Sequence, residues 1–332
     1  MDMNKKRKLA KRYFKILNFE EKESPSGYYL NFNSLNVEEF LRGGRVQKIQ
    51  PQENSLIFLD DTLSTNERLI KVKEKEFGFD FRKNKFEAFN LAFYKNGISA
   101  KINKDLKIIF ISKTSQIIRN FFFIKNANVK IVEFYTGKGF SSVSNRFLIK
   151  NSIVEHQMIS NNSSNSFVQD SFKLESSKFI QRSFIKAKKG FNLKAFTFDV
   201  LESEVKQKLS VINSGSQLWI SSLGKVFGKS NVEVSSRGLL LGSSTFFENL
   251  LECDKNSKSS SINTDIRVMK EKNAKVFCIP SLSVNNKNCS ARHSFSMIEL
   301  DKDEIKYLKA KGIDTKSVKK IIKENILRWW RS

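Results

Sequence analysis

From Phe86 onward the chain breaks into short runs of β-branched and aromatic residues, separated by Asn, Ser, Lys and Gly. The clearest are Leu106 to Ile111, Asn120 to Ile124, Val129 to Tyr135, Arg146 to Ile149, Lys178 to Ile185, Phe191 to Val200, Gln217 to Ile220, Asn231 to Val234 and Gly238 to Leu241. Many recur about every ten residues, which predicts a mainly β domain. Spacing alone fits a sandwich or a solenoid. Two features favour the solenoid, a parallel β-helix. Three prolines and fourteen glycines are few for a fold of tight hairpins, and the connecting segments are rich in Asn and Ser, as in Asn161-Asn162-Ser163-Ser164-Asn165. Stacked coils also place like on like, so Phe-rich runs can form interior ladders. Phe121-Phe122-Phe123 is predicted to be such a buried rung.

The flanks differ. Residues 1–85 combine a basic helical start, Lys5 to Phe14, with the polar stretch Glu20 to Ser26 and the patch Leu56 to Asp61, and suggest no single architecture. After Pro280 the pattern changes again. Asp301, with Glu304 three residues on, forms a capping box for a helix carrying Ile305, Tyr307 and Leu308, which Gly312 ends at a left-handed position. A second helix is expected from near Thr315, with Val318, Ile321, Ile322, Ile326, Trp329 and Trp330 at helical spacing. The expected division is an N-terminal mixed region 1–85, a β core 86–292 and a C-terminal helical domain 293–332.

A net charge of +25 suggests polyanions, but lysine is spread along the whole chain. Three cysteines, Cys253, Cys278 and Cys289, exclude a disulfide framework and a four-thiolate site within one chain. Any metal must share its ligands with another molecule. No run of eighteen apolar residues and no apolar leader block occur. A reducing, cytoplasmic setting is expected, with a plastid-type stroma as the alternative and no membrane partner.

Two segments imitate a nucleotide site. Gly224-Lys225-Val226-Phe227-Gly228-Lys229-Ser230 has one residue too few between its glycines for a phosphate loop, and the acidic strand Leu56 to Asp61 precedes it instead of following. No nucleophile elbow or HExxH motif occurs. His156, in Ile153-Val154-Glu155-His156-Gln157-Met158, lies in a strand-like run and reads as a structural histidine. His293, among small polar residues with Cys289 four positions earlier, is the stronger candidate for an iron ligand.

The residues around His293 resemble the SufB/SufD family of iron-sulfur cluster assembly scaffolds. The resemblance runs through His293-Ser294-Phe295-Ser296, Glu299-Leu300-Asp301 and the stretch Ile305 to Asp314. Upstream, Pro280-Ser281-Leu282-Ser283-Val284 is similar to the family's strand leading into the histidine. Phe89 to Gly97 and Asn126 to Glu133 are similar to the opening of its β domain. The chain is closer to the SufD branch: Arg292 and Ser294 flank the histidine where SufB members carry glutamates. It departs from the pattern at Ala291, where a cysteine is usual and from which Cys289 is displaced, and at Ala310-Lys311.

The resemblance implies a right-handed parallel β-helix with a C-terminal helical domain, acting as a non-enzymatic scaffold. It implies a SufB-like paralogue bound β-helix to β-helix, and a SufC-like ATPase docked through Ile305, Tyr307, Leu308, Gly312 and Ile313. It also implies a transient iron-sulfur cluster, shared with the partner chain, to which His293 offers a metal-binding nitrogen. The rival readings are a basic polyanion- or nucleic-acid-binding β protein, and a carbohydrate-active β-helix with paired acids in a surface cleft.

Overall fold

The computed structural model describes residues 2–17, 50, 53–75, 77–271, 273–300, 302–314, 316–318, 320, 321, 324 and 329. Two sheets of ten and nine strands face each other, and the chain alternates between them, so that strands consecutive in sequence lie in opposite sheets for most of the length. The pairing is parallel and in register from Ser99 onward, for example Ser166–Glu175 between Phe140–Lys150 and Phe191–Leu201. This is a two-sheet β-solenoid of about eight turns, as the spacing of apolar runs predicts. The solenoid extends beyond the 86–292 span at both ends. Ser55–Leu59 already pairs in parallel with Leu106–Ser112, and Cys289–Leu300 is the last strand of the ten-stranded sheet.

The interior follows from stacking. Phe122, Phe147, Phe172 and Phe198 lie one above the next, with ring centroids 5.1, 5.0 and 5.3 Å apart and interplanar angles of 27°, 11° and 13°. Each is fully buried or nearly so. Burying a phenylalanine is worth roughly 1.5–3 kcal/mol, and the rung pattern repeats that gain from coil to coil.

The corners are built from serine. Between the end of a strand in the nine-stranded sheet and the start of the next in the ten-stranded sheet, Asn126, Asn151, Ser176, Glu202 and Gly228 adopt positive φ. The serines that follow form a ladder. Ser177 Oγ donates to the Glu175 carbonyl at 2.7 Å and accepts from the Ser152 amide at 3.2 Å. Ser203 and Ser230 repeat the arrangement one coil at a time. The Ser152, Ser177, Ser203 and Ser230 amides are thereby satisfied without a proline or a tight hairpin.

Among the described residues, the N-terminal end carries two helices, α1 (Met3–Ile16) and α2 (Lys85–Phe93). Phe14 of α1 lies 5.5 and 5.6 Å from Phe89 and Phe93 of α2. Glu87 of α2 receives Arg119 Nη1 and Arg146 Nη2, both at 2.7 Å, and fixes the helix to the outer face of the nine-stranded sheet.

The C-terminal helical part is smaller than expected. Residues 293–300 are strand, because Cys289–Leu300 continues the sheet. A nine-residue helix, α3 (Lys302–Ala310), follows, and residues 316–318, 320, 321, 324 and 329 are also helical. Gly312, at φ +83°, closes it as anticipated: the Gly312 amide donates to Lys309 O at 2.9 Å and the Ile313 amide to Leu308 O at 2.8 Å. Asp314 caps the next helical residues by accepting from the Lys316 and Ser317 amides. Asp301, Thr315, Ile322, Ile326 and Trp330 lie outside the described residues, as does the segment Glu20 to Ser26.

Replacing Phe172 by alanine opens the centre of the phenylalanine ladder. The expected cost is about 3–5 kcal/mol, read as a lower denaturant midpoint in equilibrium unfolding.

Candidate functional site

The two ends of the solenoid are unlike. At the N-terminal end each sheet finishes in an antiparallel strand, Thr62–Thr65 in one and Ile70–Lys71 in the other. At the C-terminal end Cys289–Leu300 and Lys275–Val284 are each paired on one side only, among the described residues. Their free edges present unpaired backbone donors and acceptors.

His293 stands on this open coil. Ala291, His293, Phe295 and Met297 are in register with Ile262, Thr264, Ile266 and Val268, which are buried. They therefore belong to the inward-facing row. With no further coil among the described residues, His293, Phe295 and Met297 remain exposed and Ala291 is half-buried: Phe295 and Met297 are 46% accessible, and Ile298 on the outward row is 53%. Exposed apolar residues along a long free edge are the combination that folded proteins ordinarily avoid, which makes this end a candidate interaction surface.

The histidine is held by one contact. His293 Nδ1–H donates to the Pro280 carbonyl oxygen at 3.0 Å, reaching from one sheet to the last strand of the other. A carbonyl can only accept, so the hydrogen of the neutral ring sits on Nδ1 and the lone pair of Nε2 is left for a ligand. This is the tautomer in which metal-binding histidines are commonly fixed.

All three cysteines gather at the same end, which no spacing rule indicated. Cys278 and Cys289 stand in inward rows of the last two strands, and Cys253 in the coil beneath. The register that brings them together depends on the length of each turn, so only a correct count of coils could have shown it. Burial pushes the Cys278 thiol up to about 12. Burial, aided by the neighbouring Cys253, pushes Cys289 up to about 12 as well. In the isolated chain these are protonated, weakly nucleophilic thiols.

The remaining expectations fall as follows. Tyr307 is exposed, Leu308 and Ile313 are half-buried, and Ile305 is helical with its side chain outside the described set. Trp329 turns back onto the solenoid, with the Arg237 guanidinium 4.5 Å and the Lys208 ammonium 5.6 Å from its ring centroid. The imitation nucleotide site is absorbed by structure. Gly224 to Phe227 end a strand, and Ser230 belongs to the corner ladder. Asp60 accepts from the Lys113 and Thr114 amides, and Asp61 from that of Ile117. No described helix is long and apolar enough to cross a membrane. The acids that do converge, Glu133 and Asp170, are fully buried between the sheets, not placed in a surface cleft as the carbohydrate reading requires.

Residues 121–325 match the family described as "SUF system FeS cluster assembly, SufBD core domain", a span of more than half the chain. Among curated proteins none is similar enough in sequence to match.

Alkylation of Cys278 and Cys289 by iodoacetamide at pH 8 is expected to run on the order of a thousandfold slower than that of a free thiol, followed by mass spectrometry, until the chain is unfolded. Rapid labelling of the native chain would contradict the raised thiol values.

Proposed function

Because this chain belongs to the SufB/SufD core-domain family of the SUF iron-sulfur cluster assembly system, we propose that it is the SufD-like scaffold subunit of such a complex. The observation that carries the reading is the uncovered C-terminal coil, where a free sheet edge, exposed Phe295 and Met297, and an imidazole with Nε2 available coincide.

In this reading a SufB-like paralogue lays its own last strands against Cys289–Leu300 and Lys275–Val284, continuing both sheets across the junction. The cluster is cargo, assembled where the two chains meet. His293 Nε2 contributes one nitrogen, and the paralogue supplies the ionised thiolates that this chain, with its protonated cysteines, does not. A site divided in this way exists only while both halves converge, so movement of the helical arms can release what it holds. The α3 helix, with exposed Tyr307 and the turn at Gly312 and Ile313, is the docking element for a SufC-like ATPase. The sequence features that separate SufD from SufB members, Arg292 and Ser294 beside the histidine, support the assignment to that branch.

Coexpression with a SufB-like paralogue and a SufC-like ATPase separates the two surfaces. Phe295→Asp with Met297→Asp is expected to lose the paralogue and retain the ATPase in affinity copurification, whereas Tyr307→Ala with Leu308→Ala does the reverse. Equal recovery of both partners with both variants refutes the arrangement.

His293→Ala is expected to retain both partners and lose cluster assembly, followed by the visible absorption of the reconstituted complex. Full assembly by that variant removes the histidine from the mechanism.

A further inference from the structure

A second constellation lies inside the solenoid, five strands along the ten-stranded sheet from His293, roughly 24 Å away at the usual strand spacing. Glu133 comes from the strand Asn128–Gly137, His156 from its neighbour Ile153–Asn162, and Asp170 from Ser166–Glu175 in the facing sheet. All three are fully buried, and one donor atom from each lies within 4.8 Å of the others.

Hydrogen bonds leave this cluster short of hydrogens. Tyr135 OH donates to Glu133 Oε2 at 2.9 Å. The Asn145 amide, with two hydrogens, faces three acceptors: Glu133 Oε1 at 3.1 Å, the Tyr135 oxygen at 3.0 Å and Asp170 Oδ1 at 3.0 Å. Asp170 Oδ2 and His156 Nε2 have no hydrogen-bond partner, although Nε2 lies 3.5 Å from Glu133 Oε2. Two buried polar atoms without partners, in one cluster of ligand-type side chains, call for an explanation. The nearest cation does not fill the role. The Lys194 ammonium donates to Ser166 Oγ at 2.8 Å and stands over the Tyr135 ring at 5.5 Å, making no ion pair with either carboxylate.

We propose that Glu133, His156 and Asp170 form a buried site for one divalent first-row transition cation, of the zinc or ferrous iron class. One imidazole and two carboxylates suit such an ion, and three donors converging from three strands leave positions for water or Tyr135. Its binding satisfies the orphaned Asp170 oxygen and His156 nitrogen.

The neighbouring residues can accommodate the ligand tautomer. Gln181 Nε2 lies 3.3 Å from His156 Nδ1, Gln207 Nε2 donates to Gln181 Oε1 at 2.7 Å, and Ser222 Oγ donates to Gln207 Oε1 at 2.8 Å. Rotating both amides reverses the direction of this chain. His156 Nδ1–H then donates to Gln181 Oε1, Gln181 to Gln207 and Gln207 to Ser222, freeing Nε2 for the metal.

The site is independent of the proposed docking surface, and one experiment tests it. The full chain is unfolded in chelator, refolded with Co(II) and dialysed, then assayed for bound metal and for metal-edge X-ray absorption. One retained equivalent is expected, with a nitrogen and oxygen shell including one imidazole and no sulfur, and a thermal midpoint above that of protein refolded without metal. His156→Gln and Asp170→Asn should each lose the equivalent, while His293→Ala keeps it. The proposal is overturned if the wild-type chain retains no cobalt, if sulfur appears in the shell, if both interior variants retain the metal, or if His293→Ala loses it. Should the interior variants fail to refold, the wild-type spectrum and His293→Ala decide by the same outcomes.

Discussion

Register between successive coils governs this molecule. The strands between Leu106 and Glu271 pair in parallel with the strand one coil before and the strand one coil after, residue for residue. A side chain therefore has its neighbours chosen for it: inward residues meet inward residues, and corner residues meet corner residues. The phenylalanine ladder, the serine corners and the interior polar groups are three results of one rule. So is the open end, since the rule contains no instruction for stopping. The last coil, Lys275–Val284 with Cys289–Leu300, has the same inward row as the others and no strand beyond it among the described residues.

Much of the architecture was readable because stacking writes a local signature. Apolar runs recurred at strand spacing, the Asn- and Ser-rich segments fell at corners, and Phe122 proved to be a ladder rung. Gly312 announced its left-handed position because few other residues adopt it without strain. The strand containing His293 was harder to recognise. Its inward row holds Cys289, Ala291, His293, Phe295 and Met297, and its outward row mixes serine and arginine with isoleucine, so the apolar-polar alternation is blurred.

The interior polar residues were invisible for a different reason. Asn120, Asn145 and Asp170 are each 25 residues apart, as are His156 and Gln181, and each pair is in direct contact. Nothing local distinguishes such a residue from a surface one. Only a periodicity equal to one whole coil carries the information, and reading it requires knowing that coils exist. His156 looked like an ordinary structural histidine in a strand. Its hydrogen bond to Gln181 agrees with that, and only the unpartnered Nε2 beside two carboxylates sets it apart.

The serine corners carry a consequence for how this chain tolerates change. Each Oγ bridges its own coil to the one before, and each bridge is the same as the next. Loss of a single residue would put every later hydroxyl opposite the wrong amide. Excision of a full repeat of 25, 26 or 27 residues would bring one serine where another had stood and leave the ladder unbroken. Lineages descended from such a sequence can thus lengthen or shorten by whole turns more readily than by single codons, so the distance between the helical end and the open edge is a quantity that evolution can step.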